Sequence, residues 1–260
     1  MYAFERIVST PIPGRTTKPR KEGITMVIDN GLGLRAAQDL VETSADYIDF
    51  IKLGFGTSRL INEELLRKKI AIYREHNIDV YPGGTLFEIA FAQGALDKFL
   101  NYAKEIGFST IEVSDGTITM SNEERANAIK KAQEYGFKVI AEVGKKDITR
   151  DLSGEAYAEG IKRDLELGVF KVIVEARASG KGIGIYDEKG EVRKDKLETI
   201  VREVDVKNLI FEAPNKNQQV HLILNFGSNV NIGNVRPEEV VPLEALRQGL
   251  RGDTLKTVYK

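Results

Sequence analysis

Gly107-Phe108-Ser109-Thr110-Ile111-Glu112-Val113-Ser114 reads as the end of one helix, a turn and a complete short strand. Glycine supplies the left-handed turn that stops a helix, and the apolar residue behind it packs under the incoming strand. The same junction returns at Gly136-Phe137 and Gly168-Val169. Working outward, β-rich runs occupy 24–29, 47–53, 79–81, 110–114, 138–143, 171–175, 209–212 and 229–232, with amphipathic stretches between them. Asn62 is placed to cap a helix through His76, and Ser121-Asn122-Glu123-Glu124 has the form of a capping box. Further helices are predicted over 95–106 and 156–167. Repeated β-then-α units imply parallel strands with right-handed crossovers, and eight of them close naturally into a barrel. The expected fold class is therefore α/β, a single (β/α)8 TIM barrel over residues 1–260 with 1–23 as an N-terminal arm. Periodicity leaves an open doubly wound sheet as the alternative.

Composition narrows the chemistry. The 260 residues carry 38 basic and 39 acidic side chains, a net charge of -1, which gives no whole-surface attraction to nucleic acid or membrane. With no cysteine, disulfides, zinc–thiolate sites and thiol nucleophiles are excluded. The two histidines, His76 and His221, both fall in predicted helices, so a metal would need oxygen ligands, which favours magnesium or manganese. Residues 1–10 lack the apolar core of a signal peptide, and no run approaches a membrane span; a cytoplasmic protein is expected. Residues 11–21, with Arg15, Lys18, Arg20 and Lys21, read as a solvated arm. Arg251-Gly252-Asp253 reads as a C-terminal cap or interface segment.

In a parallel barrel the chemistry sits at the C-terminal ends of the strands. Four successive strands finish on glutamate: Glu112, Glu142, Glu175 and Glu212. Alternation along a strand turns each glutamate to the axis and its apolar neighbours to the helices. The same reading adds Asp29 after Val27 and Lys52 after Phe50, with Lys146 on the side of Glu142 and Arg177 on that of Glu175. The structural account is an internal ion-pair layer. The functional one is that two or three of Asp29, Glu112, Glu142, Glu175 and Glu212 bind a divalent cation. Several loops look built for an anion: Gly83 and Gly84 before a helix, Ser179 and Lys181 after the sixth strand, and Asn231 and Gly233 after the eighth. Residues 186–193 read as a polar excursion able to act as a flap.

The blocks 46–52, Tyr81-Pro82-Gly83-Gly84-Thr85-Leu86-Phe87-Glu88, Glu142-Val143-Gly144-Lys145-Lys146, Ser179-Gly180-Lys181-Gly182, Ile210-Phe211-Glu212-Ala213-Pro214 and 246–254 resemble the phosphosulfolactate synthase family over nearly the whole chain. The resemblance implies a magnesium-dependent addition of sulfite to phosphoenolpyruvate giving (2R)-3-phosphosulfolactate, a step toward coenzyme M or sulfolactate, and a homo-oligomer. It implies Lys146 as general acid; Lys52, Arg177 and Lys181 would hold phosphate or sulfite, and Lys145 belongs to the same block. Plant heat-stress proteins in the family keep a non-catalytic role in view, and an enolase- or aldolase-like lyase is the other rival.

Overall fold

The computed structural model describes residues 2–145, 147, 149, 151–176 and 179–259. Strands β1 (Thr25–Ile28), β2 (Phe50–Lys52), β3 (Asp79–Tyr81), β4 (Thr110–Val113), β5 (Lys138–Val143), β6 (Lys171–Val174), β7 (Leu209–Glu212) and β8 (Ile232–Val235) alternate with helices. These are α1 (Leu34–Ser44), α2 (Glu63–Glu75), α3 (Gly84–Ala92), α4 (Leu96–Ile106), α5 (Asn122–Glu134), α6 (Gly154–Glu166), α7 (Lys194–Glu203), α8 (Lys216–Phe226), α9 (Val240–Arg247) and α10 (Gly252–Leu255). Asn62 caps α2 and Ser121 forms the capping box of α5, as the sequence predicts.

The sheet order is β3-β2-β1-β8-β7-β6-β5-β4, every ladder parallel. Between β3 and β4 the ladder gives way to Ser109, whose N–H donates to the Val80 carbonyl at 3.1 Å while its hydroxyl oxygen accepts the Val80 N–H at 3.0 Å. The result is a nearly closed (β/α)8 barrel, and the open-sheet alternative falls away.

Two apolar layers hold it. The larger lies between strands and helices and takes the outward residues, Val27, Ile51, Ile111, Val139 and Val172 among them. The smaller fills the barrel itself with Ile24, Met26, Phe50, Tyr81, Ile140, Ile173 and Ile210. Burying such side chains is the main favourable term in folding.

The arm is not solvated as expected. It crosses the N-terminal end of the barrel, where the Lys18 ammonium donates to the carbonyls of Ala45, Ile48 and His76 at 2.7–3.2 Å. Arg20 pairs with Asp49 at 2.9 Å, and Arg15 with Glu244 of α9 at 3.1 Å. The eighth strand also starts three residues later than predicted, because side chains take over the backbone's partners before it. Asn231 accepts the Ile24 N–H and donates to the Lys207 and Leu209 carbonyls. β8 then carries one extra residue, since Thr25 faces Ile232 but Val27 faces Val235. Among the described residues no helix is long and apolar enough to cross a membrane.

Candidate active site

Strand alternation builds the site directly on the inner apolar layer. On β5 and β7, Ile140 and Ile210 point to the axis, so Glu142 and Glu212 two residues on do the same; Ile173 on β6 and Phe50 on β2 set Glu175 and Lys52 likewise. These side chains line a cavity of about 440 Å³ together with Ile28, Phe55, Gly84, Thr85, Glu112, Ser179 and Asn234.

Lys52 organises it. Its ammonium lies 3.1 Å from Glu112, 3.2 Å from Glu212 and 3.4 Å from Glu142, with all four side chains buried. Burial alone would push the lysine toward neutrality, but the carboxylates of Glu112, Glu212 and Glu142 outweigh it and hold its pKa well above the ordinary value. Each glutamate has further anchors. Glu112 accepts the Gly84 N–H at 2.7 Å, and Glu212 accepts the Ala176 N–H at 2.9 Å. The Ser114 hydroxyl lies 2.9 Å from Glu142 and 2.6 Å from Glu88, a buried carboxylate of α3 that also accepts the Thr117 N–H.

Glu142, Glu175 and Glu212 bring one carboxylate oxygen each within 4.8 Å of one another, all three buried. An all-oxygen donor set of this kind suits a hard divalent cation. Glu112, Glu142, Glu175 and Glu212, all buried, line this one cavity with Lys52.

Several expected residues lie elsewhere. Asp29 is buried but turns outward, where Lys69 pairs with it at 2.7 Å, Tyr73 donates to it at 2.8 Å and the N–H groups of Gly31 and Leu32 bind its other oxygen. It shares the parity of Val27, and Val27 belongs to the helix-facing core. Asn231 sits at the opposite end of the barrel in the backbone contacts described above. Gly233 is a packing residue of β8: a Cβ there would stand 2.3 Å from the Met26 methyl. Gly84 does line the cavity, yet its N–H serves Glu112 rather than a ligand, and a Cβ would lie 2.3 Å from that carboxylate. Gly83, at φ 80°, forms the turn ahead of α3, backed by the Gly54 Cα. Lys145 points away and binds Asp115 at 2.5 Å, and Lys181 is exposed outside the cavity that Ser179 borders. Lys146 and Arg177 lie outside the described residues. The expected flap, residues 186–193, starts at buried Tyr186 and is tied at Gly190, whose carbonyl accepts from Gln218 of α8, while Glu188 and Lys189 at its tip are exposed.

Asn234 ends the run Asn231-Ile232-Gly233-Asn234, which the sequence reads as an anion loop without naming Asn234 as a site residue. It occupies the extra residue's stretch of β8 at φ 53°, is 3% exposed, borders the cavity, and has a side-chain oxygen with no hydrogen-bond partner among the described residues. Bulges commonly re-aim a side chain at a site, and asparagine tolerates the left-handed region better than most residues. The Gly233-Asn234 pair is the signal that could have found it. Asn234→Gly keeps that backbone conformation and deletes the amide. We expect stability within about 1 kcal/mol of wild type and an affinity for ligands of the cavity lower by about tenfold. Calorimetric titration checks this, and unchanged affinity would exclude a ligand contact.

A nearly closed parallel barrel with buried carboxylates and a caged lysine at its C-terminal mouth defines a TIM-barrel protein with one coherent candidate active site. Comparison with known proteins makes the class specific. The sequence model of the family described as (2R)-phospho-3-sulfolactate synthase (ComA) matches residues 13–253. The chain is 46% identical to the phosphosulfolactate synthase of Methanothermobacter thermautotrophicus over 260 residues, covering 99% of each chain. It is 42% identical to that of Bacillus subtilis over 249 residues, 95% of this chain and 97% of the other. The Arabidopsis thaliana protein HEAT-STRESS-ASSOCIATED 32 is 22% identical over 253 residues, 90% and 88% of the two chains. Among solved structures, 3-hexulose-6-phosphate synthase superposes with a TM-score of 0.55 at 18% identity, over 91% of this chain and all of the other, a likeness of fold alone. The chain belongs to the phosphosulfolactate synthase family.

Proposed function

We propose that this chain adds sulfite to C3 of phosphoenolpyruvate in a magnesium-dependent reaction, giving (2R)-3-phosphosulfolactate in the cytoplasm. The observation that carries the reading is the convergence of Glu142, Glu175 and Glu212 at the barrel mouth, in a chain that matches relatives named for that synthase along its length. Two anionic reactants repel each other, and an enol phosphate is a poor electrophile until its carboxylate is polarised. A bound magnesium ion would supply that polarisation as a Lewis acid. Glu142, Glu175 and Glu212 are the residues that would hold it.

The chain's own groups do the rest. Lys52 keeps its charge and spaces the glutamates, since three carboxylates hold it protonated. A lysine so held is a poor proton donor at neutral pH, so the proton for C2 is assigned to Lys146, two residues beyond Gly144 in the Gly-Lys-Lys block. The same protonation argues against the Schiff-base aldolase reading for Lys52, which needs a free amine. Arg177 suits the bidentate grip that a phosphate or sulfite oxyanion invites. Ser179 and the Asn234 amide border the cavity and are assigned to orienting the substrate.

The decisive assay follows loss of phosphoenolpyruvate with and without sulfite. We expect loss only with sulfite and magnesium together, and its disappearance on chelation. Sulfite-independent loss would favour a lyase of another kind, and no loss at all a non-catalytic member of the family.

A further inference from the structure

At the end of the barrel away from the carboxylates lies a second concavity, of about 680 Å³, where the arm passes over the start of β6 and the Val206–Asn208 turn. Five of its lining residues are cations: Arg15, Arg20, Lys21, Lys171 and Lys207, against the single acid Glu22. Lys171 and Glu175 stand four residues apart on and just beyond one strand, roughly 13 Å at the ordinary rise. The concavity is therefore separate from the site above.

The cations fall into two kinds. Arg15 and Arg20 are neutralised by Glu244 and Asp49, and those pairs fix the guanidinium groups in position. Lys207 has Glu22 at 3.5 Å, well exposed, where such a pair contributes little. Lys171 is different. It is 6% exposed, lies over the face of Phe170 at 5.1 Å, and has no ion pair or side-chain hydrogen bond among the described residues. Burial lowers its pKa, with Glu22 and Asp205 opposing from a distance and Lys21 adding to the effect. Lys21 is exposed and also has no ion pair among the described residues.

A lysine whose stem is buried and whose ammonium opens on a hollow, with no ion pair among the described residues, gains from a counter-charge that enters that hollow. Lys52 in the same chain shows the usual remedy, three carboxylates within 3.4 Å. Among the described residues Lys171 has no ion pair, Glu22 and Asp205 act on it only from a distance, and more positive charge is ranked around an open hollow. We propose that this hollow is an anion site for a phosphate-type dianion, free or as the terminal group of a small phosphorylated molecule, with Lys171 and Lys21 as its charge partners and the two pinned arginines as its rim. Two unneutralised ammonium groups match a dianion in charge. The ligand would bridge the arm to β6, so its binding stabilises the folded chain by mass action. This assignment is independent of the proposed reaction.

The test is a titration of the full isotope-labelled chain with inorganic phosphate, and separately with ATP, at constant ionic strength, following backbone amide shifts. We expect saturable shifts at Lys21, Glu22 and Lys171, and an affinity about tenfold lower in Lys171→Met, the size of one lost charge-assisted contact. Because the mouth also invites phosphate, shifts at Gly84 and Asn234 report that site separately. If Lys171→Met does not fold, the exposed Lys21→Ala carries the test, and must weaken binding at the same amides. Tighter binding of ATP would make a larger phosphorylated molecule the occupant; equal binding would make it the free anion. Shifts confined to the mouth, shifts reproduced by chloride, or unchanged affinity in the variants would each overturn the proposal.

Discussion

Replacing Lys52 with methionine is expected to cost the fold about 3–5 kcal/mol, the range seen when one partner of a buried ion pair is removed. Methionine fills a similar length of unbranched chain, so the loss reports charge rather than packing. Three buried carboxylates, Glu112, Glu142 and Glu212, lose their common cation at once. Urea denaturation measures the effect. Added magnesium should recover part of it, since an ion bound only by the native state shifts the equilibrium toward it. A loss below about 1 kcal/mol, the scale of a surface pair, would show that Lys52 does not neutralise this layer.

Glu175→Gln is expected to disable the site. Glu175 is one of three converging carboxylates, but Lys52 takes its partners from the other strands. The substitution keeps shape and removes one charged oxygen ligand. We expect divalent affinity to fall by at least about 100-fold, the upper figure for disturbing even an outer partner of a metal ligand, with turnover falling alongside it. Titration with magnesium, or with manganese followed by electron paramagnetic resonance, gives the number. Native affinity in this variant would remove Glu175 from the ligand set.

The barrel was legible because each repeat carries its own punctuation. Gly107, Gly136 and Gly168 all take positive φ at helix ends, where left-handed backbone is required. Glu112, Glu142, Glu175 and Glu212 were legible for a related reason. An ionisable residue at the same place on four consecutive strands has no cheap apolar explanation. Asp29 shows the limit of that logic. In a strand buried on both faces, alternation sorts residues into two sets without saying which set meets the axis, and β1 is apolar on both. Asn231 and Asn234 failed for a different reason. Asparagine side chains can stand in for backbone partners, so 229–231 imitates a strand, while the extra residue in β8 shifts everything after it. The caging of Lys52 by carboxylates from β4, β5 and β7 belongs to the closed barrel, and no local pattern encodes it.

The greasy plug formed by Ile24, Met26, Phe50, Tyr81, Ile140, Ile173 and Ile210, sealed beneath by the crossing arm, makes the reaction chamber a cul-de-sac. Among the described residues, this layer closes the route along the barrel axis and leaves the mouth as the way in and out. In the proposed reaction two reactants and one product would share that threshold, and the order in which they pass it would become a property of the architecture rather than of affinity alone.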